Sequence, residues 1–125
     1  MVRAKILVIE DGQTYAELAT MLLEKLGYKV TLARRAEDGI RVAQEEAPDL
    51  ILMDLNLPGM GGLEAIRILK ADSRTRDIPT IAMTTDCDWE DGEPARAREA
   101  GFEALIEKPI DKAGFRALVG PFVRP

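Results

Sequence analysis

Short continuous aliphatic runs alternate along the chain with longer stretches whose apolar residues recur at helical spacing. Lys5-Ile6-Leu7-Val8-Ile9 is one such run, and it stops at Glu10-Asp11-Gly12. An unbroken run of this length suits a strand buried on both faces of a parallel sheet. Tyr15, Leu18, Ala19, Leu22, Leu23 and Leu26 follow as one apolar stripe of a helix that Gly27 ends. Residues 28–32 predict a second strand, and residues 36–46 a helix with Ile40 and Ala43 inward, closed by Pro48.

Residues 49–54 predict the third strand. A glycine-rich loop, Leu57-Pro58-Gly59-Met60-Gly61-Gly62, leads into a helix over 63–70 with Leu63, Ile66 and Leu69 on one face. Residues 78–84 and 104–107 predict the fourth and fifth strands. Asp111 is a natural N-cap for a last helix through Phe115, Leu118 and Val119, which Gly120-Pro121 ends early. Residues 86–94 lack a clear pattern, with Gly92 and Pro94 interrupting the start of the fourth helix. Five strands alternating with about five helices predict a doubly wound α/β fold, because parallel strands need crossovers and these are almost always right-handed.

In an open sheet of this kind ligands bind beyond the carboxyl ends of the strands, so the residues just after each apolar run share one rim. Strand one delivers Glu10 and Asp11, strand three Asp54, strand four Thr84 and Thr85, and strand five Lys108. Three carboxylates converging on one small volume repel one another unless a cation sits among them. Mg²⁺ suits them, with Mn²⁺ the alternative occupant, since a hard cation takes carboxylate and water oxygens and commonly accompanies a phosphoryl group. Lys108 and Thr84 would then give a phosphoryl group a positive charge and a hydroxyl donor. Asp54, flanked by Met53 and Leu55, is the candidate nucleophile.

Composition narrows the chemistry further. The 125 residues contain no histidine and one cysteine, Cys87. That excludes a Ser-His-Asp triad, an HExxH zinc site, a Cys-rich zinc site and an internal disulfide. With 46% hydrophobic and 31% charged residues, residues 1–125 are expected to form one globular domain packed on aliphatic side chains. A net charge of −5 argues against direct DNA binding, which needs a dense basic patch. The absence of an apolar run near the ~20 residues of a membrane span, with the single cysteine, predicts a cytoplasmic protein with no membrane association.

Four segments, each at a strand end and in this order, carry a family resemblance: Val8-Ile9-Glu10-Asp11; residues 52–62 around Asp54; Ile78-Pro79-Thr80-Ile81-Ala82-Met83-Thr84; and Glu107-Lys108-Pro109-Ile110. Together they resemble the CheY-like receiver domain of two-component response regulators, over essentially the whole chain. The resemblance implies a flavodoxin-like sheet of order 2-1-3-4-5. It implies that Asp54 accepts a phosphoryl group from the phosphohistidine of a sensor histidine kinase or histidine phosphotransfer protein. Mg²⁺ would be held by Asp11, Asp54 and the backbone carbonyl of Asn56. Glu10, standing where Asp is more usual, would act through a metal-bound water. Thr84 and Lys108 would contact the phosphoryl oxygens, and the Lys108–Pro109 peptide would be cis. The expected product is a phosphorelay protein that is catalytic only on itself, signals to a downstream protein target without an output domain, and is a monomer or weak homodimer.

Plainer readings stand beside these. Glu10 and Asp11 could be turn-forming caps, and Gly59, Gly61 and Gly62 read as turn residues, since neither a P-loop nor a full dinucleotide fingerprint is present. Cys87 reads as a passive thiol, and Trp89 as either a partner anchor or simple packing. Glu17 and Lys25 are expected to be exposed on the first helix. Two rival functions remain: a phosphorylation-independent pseudo-receiver serving as a scaffold, and a small phosphatase, since Asp54-Leu55-Asn56 is similar to a DxD motif, although Asn56 lacks the second carboxylate. The chain also departs from the resemblance. Leu105 stands where a switching Tyr or Phe is usual, the stretch from Thr84 to Lys108 is about two residues longer than common, and the last helix is short. These departures predict intact phosphorylation chemistry with an altered output face.

Overall fold

A computed structural model describes residues 3–85, 93–108 and 110–123. Its elements are β1 (Lys5–Ile9), α1 (Gln13–Lys25), β2 (Lys29–Ala33), α2 (Ala36–Glu46), β3 (Leu50–Asp54), α3 (Gly62–Ala71), β4 (Thr80–Thr84), α4 (Glu93–Ala100), β5 (Ala104–Glu107) and α5 (Lys112–Val119). The strands form one parallel sheet of order β2-β1-β3-β4-β5.

Strand alternation splits the core into two layers. Leu7, Ile9, Ile51, Met53 and Ala82 point to one face, where they meet Ile40 of α2, Ile66 and Leu69 of α3 and Ala97 of α4. Ile6, Val8, Leu50, Leu52, Ile81 and Met83 point to the other, against Ala19 and Leu23 of α1 and Phe115 and Val119 of α5. Burying an aliphatic side chain of this size contributes about 1.5–3 kcal/mol. The three central strands therefore carry the sheet, and β2 and β5, on its edges, are only partly covered.

Several predicted boundaries shift. The second strand runs Lys29–Ala33 because its register sets Lys29 opposite Lys5 and Ala33 opposite Ile9. Tyr28 is turned away from the ladder, its hydroxyl donating to the Val123 carbonyl at 3.0 Å. The third strand begins at Leu50, and the Asp49 carboxylate instead accepts from the Lys5 N–H. The fourth begins at Thr80, since Pro79 has no N–H and serves as an acceptor for Ile51.

The predicted inward face of the third helix needs correction: Leu63 is 41% exposed, and the buried stripe is Gly62, Ala65, Ile66 and Leu69. In α1 the predicted stripe holds, with Ala19 and Leu23 buried and Tyr15, Leu22 and Leu26 packed against the same cluster, except that Leu18 is exposed and Ala16 is buried instead. Small residues let these helices lie close to the sheet, so the faces turn toward alanine and glycine. Other expected placements agree. Ile40 and Ala43 are buried, Glu17 and Lys25 are exposed, and Asp111 caps α5 by accepting from the Gly114 N–H at 2.7 Å. α5 ends at Val119, immediately before Gly120-Pro121. Cys87, Trp89, Gly92 and the Lys108–Pro109 peptide lie outside the described residues.

Candidate functional site

Parallel pairing aligns the strand ends. Ile9 lies beside Met53, Asp54 beside Met83, and Thr84 beside Glu107. Glu10 and Asp11 leave β1, Asp54 ends β3, Thr84 ends β4 and Lys108 follows β5, so all five reach one rim. Carboxylate oxygens of Glu10, Asp11 and Asp54 lie within 4.8 Å of one another. Asp11 is exposed, whereas Glu10 is 1% and Asp54 4% exposed.

Lys108 closes this cluster. Its ammonium pairs with Glu10 Oε1 and stands 3.3 Å from Asp54 Oδ2. The other Asp54 oxygen, Oδ1, accepts from the Asn56 N–H at 2.9 Å, and Asn56 Nδ2 donates to Thr84 Oγ1 at 3.1 Å. The Lys108 N–H donates to the Thr84 carbonyl at 2.8 Å, which ties the lysine's backbone to β4. Burial and the neighbouring Asp54 push the Glu10 carboxyl above its ordinary range, even though Lys108 and the Gly12 N–H pull the other way. One ammonium therefore does not fully compensate the buried Glu10.

That imbalance is the test of whether a divalent cation fits. Three oxygen donors close together, two of them buried and Glu10 undercompensated, match a hard cation and would not suit a soft one.

The predicted site residues thus come together: Glu10, Asp11, Asp54, Asn56, Thr84 and Lys108. Three contacts escaped the sequence reading. The side-chain amide of Asn56 bonds Thr84. Arg34 Nη2 donates to the Asp11 carbonyl at 2.7 Å and anchors the β1–α1 loop. The ring of Tyr15 lies beneath Lys108, 4.6 Å from its Nζ. Only the last left a trace in the sequence, a tyrosine four residues after Asp11 on an otherwise aliphatic stripe.

The family model described as response regulator receiver domain matches residues 6–119. The chain belongs to the response regulator receiver family. The polar-differentiation response regulator DivK of Brucella anthropi is 38% identical over 110 residues, 88% of each chain. The receiver domain of a sensor histidine kinase from Pseudomonas aeruginosa PAO1, solved with a magnesium ion coordinated in its active site cleft, is 30% identical. That superposition has a TM-score of 0.87 and covers 97% of this chain and 98% of the other. The chemotaxis response regulator CheY4 of Vibrio cholerae shares the fold, with a TM-score of 0.89 at 22% identity over 98% of this chain and all of the other. The protein is thus a CheY-like receiver domain of two-component systems, and the phosphorylation-independent alternative is not favoured. No helix among the described residues is long and apolar enough to cross a membrane.

Proposed function

We propose that this receiver takes a phosphoryl group on Asp54 from the phosphohistidine of a sensor kinase or phosphotransfer protein, and signals the change to a downstream protein. The observation that carries the reading is the placement of the Lys108 ammonium 3.3 Å from a buried Asp54 carboxylate inside a three-carboxylate cluster. An Asp54 oxygen forms the new bond to phosphorus as the donor's phosphorus–nitrogen bond breaks, and the imidazole nitrogen keeps that electron pair. The product is an aspartyl phosphate.

Mg²⁺, or Mn²⁺ in its place, supplies positive charge against the phosphoryl oxygens when bound; Asp11, Asp54 and the Asn56 carbonyl would hold it, with Glu10 acting through a water. Lys108 then leaves its carboxylate partners for a phosphoryl oxygen, and Thr84 exchanges the Asn56 amide for another. The chemistry is confined to the receiver's own aspartate, so it turns over no separate substrate. A cytoplasmic site of action fits the single cysteine and the source of the phosphoryl group.

Intact-mass analysis after incubation with acetyl phosphate tests this. One added phosphoryl group that requires Mg²⁺ and is lost with chelator is expected. A protein that binds Mg²⁺ yet gains no mass, from acetyl phosphate or from a phosphorylated histidine phosphotransfer protein, would instead be a scaffold.

A further inference from the structure

Among the described residues the Lys108 ammonium has three close partners, two of them charged. Glu10 and Asp54 hold it from the carboxylate side, and the Tyr15 ring faces it at 4.6 Å. The lysine side chain is 9% exposed, so water contributes little to holding it. We propose that Tyr15 is a positioning residue for phosphoryl transfer, its ring holding the Lys108 ammonium over Asp54 when the two carboxylates turn to other partners. This rests on Asp54 being the phosphoacceptor.

Three observations support the role. Tyr15 lies in the first turn of α1, whose next turn is packed into the core through Ala16 and Ala19, so the ring is carried on a fixed backbone. Its hydroxyl lies 3.9 Å from the Met83 sulfur, one residue before Thr84, which restrains the ring's far end. The phenol stays neutral, because burial and the nearby Glu10 and Asp54 charges push its ionisation upward. During reaction Asp54 would bond phosphorus and Glu10 would face a metal-bound water, so their hold on the lysine would weaken. The attraction of an aromatic face for an ammonium does not depend on those charges, and it strengthens where water is scarce.

The test is the initial rate of Asp54 phosphorylation against acetyl phosphate concentration at saturating Mg²⁺, for wild type, Tyr15→Phe, Tyr15→Leu, Lys108→Ala and Tyr15→Leu/Lys108→Ala. Tyr15→Phe keeps the ring and is expected within about twofold of wild type. Tyr15→Leu is expected to lower the limiting rate about five- to tenfold. With Lys108 already removed, Tyr15→Leu is expected to change nothing further, which a general loss of packing would not reproduce. Tyr15→Met replaces Tyr15→Leu if the latter does not fold.

Equal rates for wild type and Tyr15→Leu, or the same loss in the Lys108→Ala background, would overturn the proposal. If wild type itself gains no phosphoryl group, the phosphoacceptor reading fails and takes this one with it. If wild type reacts and Tyr15→Leu reacts equally well, only the role of Tyr15 fails.

Discussion

Glu10 shows how one residue can be costly alone and useful in company. Burial and Asp54 raise its carboxyl above the ordinary range, so the folded state binds a proton there more readily than the unfolded chain does. The stability linked to Glu10 is therefore fully present below the ordinary carboxyl range and is lost as pH rises through the raised value. In metal-free protein, Glu10→Gln is expected to raise the thermal midpoint at neutral pH by a few degrees, on the order of 1 kcal/mol, because Lys108 keeps Asp54 as a partner. Saturating Mg²⁺ should narrow that gap by neutralising the wild-type cluster. Thermal scans across pH 4 to 8, with and without Mg²⁺, check both. A metal-free wild type more stable than Glu10→Gln at neutral pH would mean that the Lys108 pairing outweighs desolvation.

At the scale of elements, the β3–α3 connection depends on two glycines for different reasons. Gly59 has a φ of 74°, the left-handed region that favours glycine. Gly62 lies so close to the end of β3 that an added Cβ would come within 2.9 Å of Leu55 Cα, a backbone atom with little room to move. Gly62→Ala is expected to destabilise by about 1–3 kcal/mol, measured by denaturant unfolding. It should also slow phosphorylation, since this loop carries Asn56 onto Asp54 and Thr84.

β5 raises the question of output. Leu105, where the resemblance leads one to expect an aromatic switch, is half-buried against the core cluster that contains Ala82, Ala97 and Phe102. An aliphatic side chain already packed there has little to gain by swinging inward. With Mg²⁺ and beryllofluoride as a phosphoryl mimic, the Asn56 and Thr84 amide resonances should move strongly and the Leu105 methyls little. Methyl shifts at Leu105 as large as those at Thr84 would show that a switch operates there after all.

The same comparison marks what could be read from sequence. Nine of the ten elements were legible because aliphatic runs and helical stripes have different periods, and Asp111 advertised its cap; α4 was implied only by the alternation, since residues 86–94 at its start lack a pattern. The inward faces of α1 and α3 were right apart from Leu18 and Leu63, which the pattern weighted above Ala16, Gly62 and Ala65, although a helix close to a sheet selects small residues. Glu10, Asp11, Asp54, Thr84 and Lys108 were legible because each ends or directly follows a strand, whereas Asn56 came only from the family resemblance. Contacts such as Asn56 with Thr84 join residues far apart in sequence, and no local pattern encodes them.

For the molecule as a whole, the sheet collects acids from β1 and β3 and a lysine from β5, then links Asp54 to β4 through Asn56 and Thr84. A phosphoryl group on Asp54 would compete for Lys108 and Thr84 together, so one local charge would reset contacts to both strands on that side of the sheet.

The most direct test is to find the modified residue. Protein incubated with acetyl phosphate and Mg²⁺ is treated with borohydride, which reduces an aspartyl phosphate to homoserine, then digested and sequenced by mass spectrometry. Homoserine at position 54 in wild type, with none anywhere in Asp54→Asn, is the expected result. Homoserine at Asp11 or elsewhere in wild type, or its persistence in Asp54→Asn at the wild-type level, would contradict Asp54 as the phosphoacceptor.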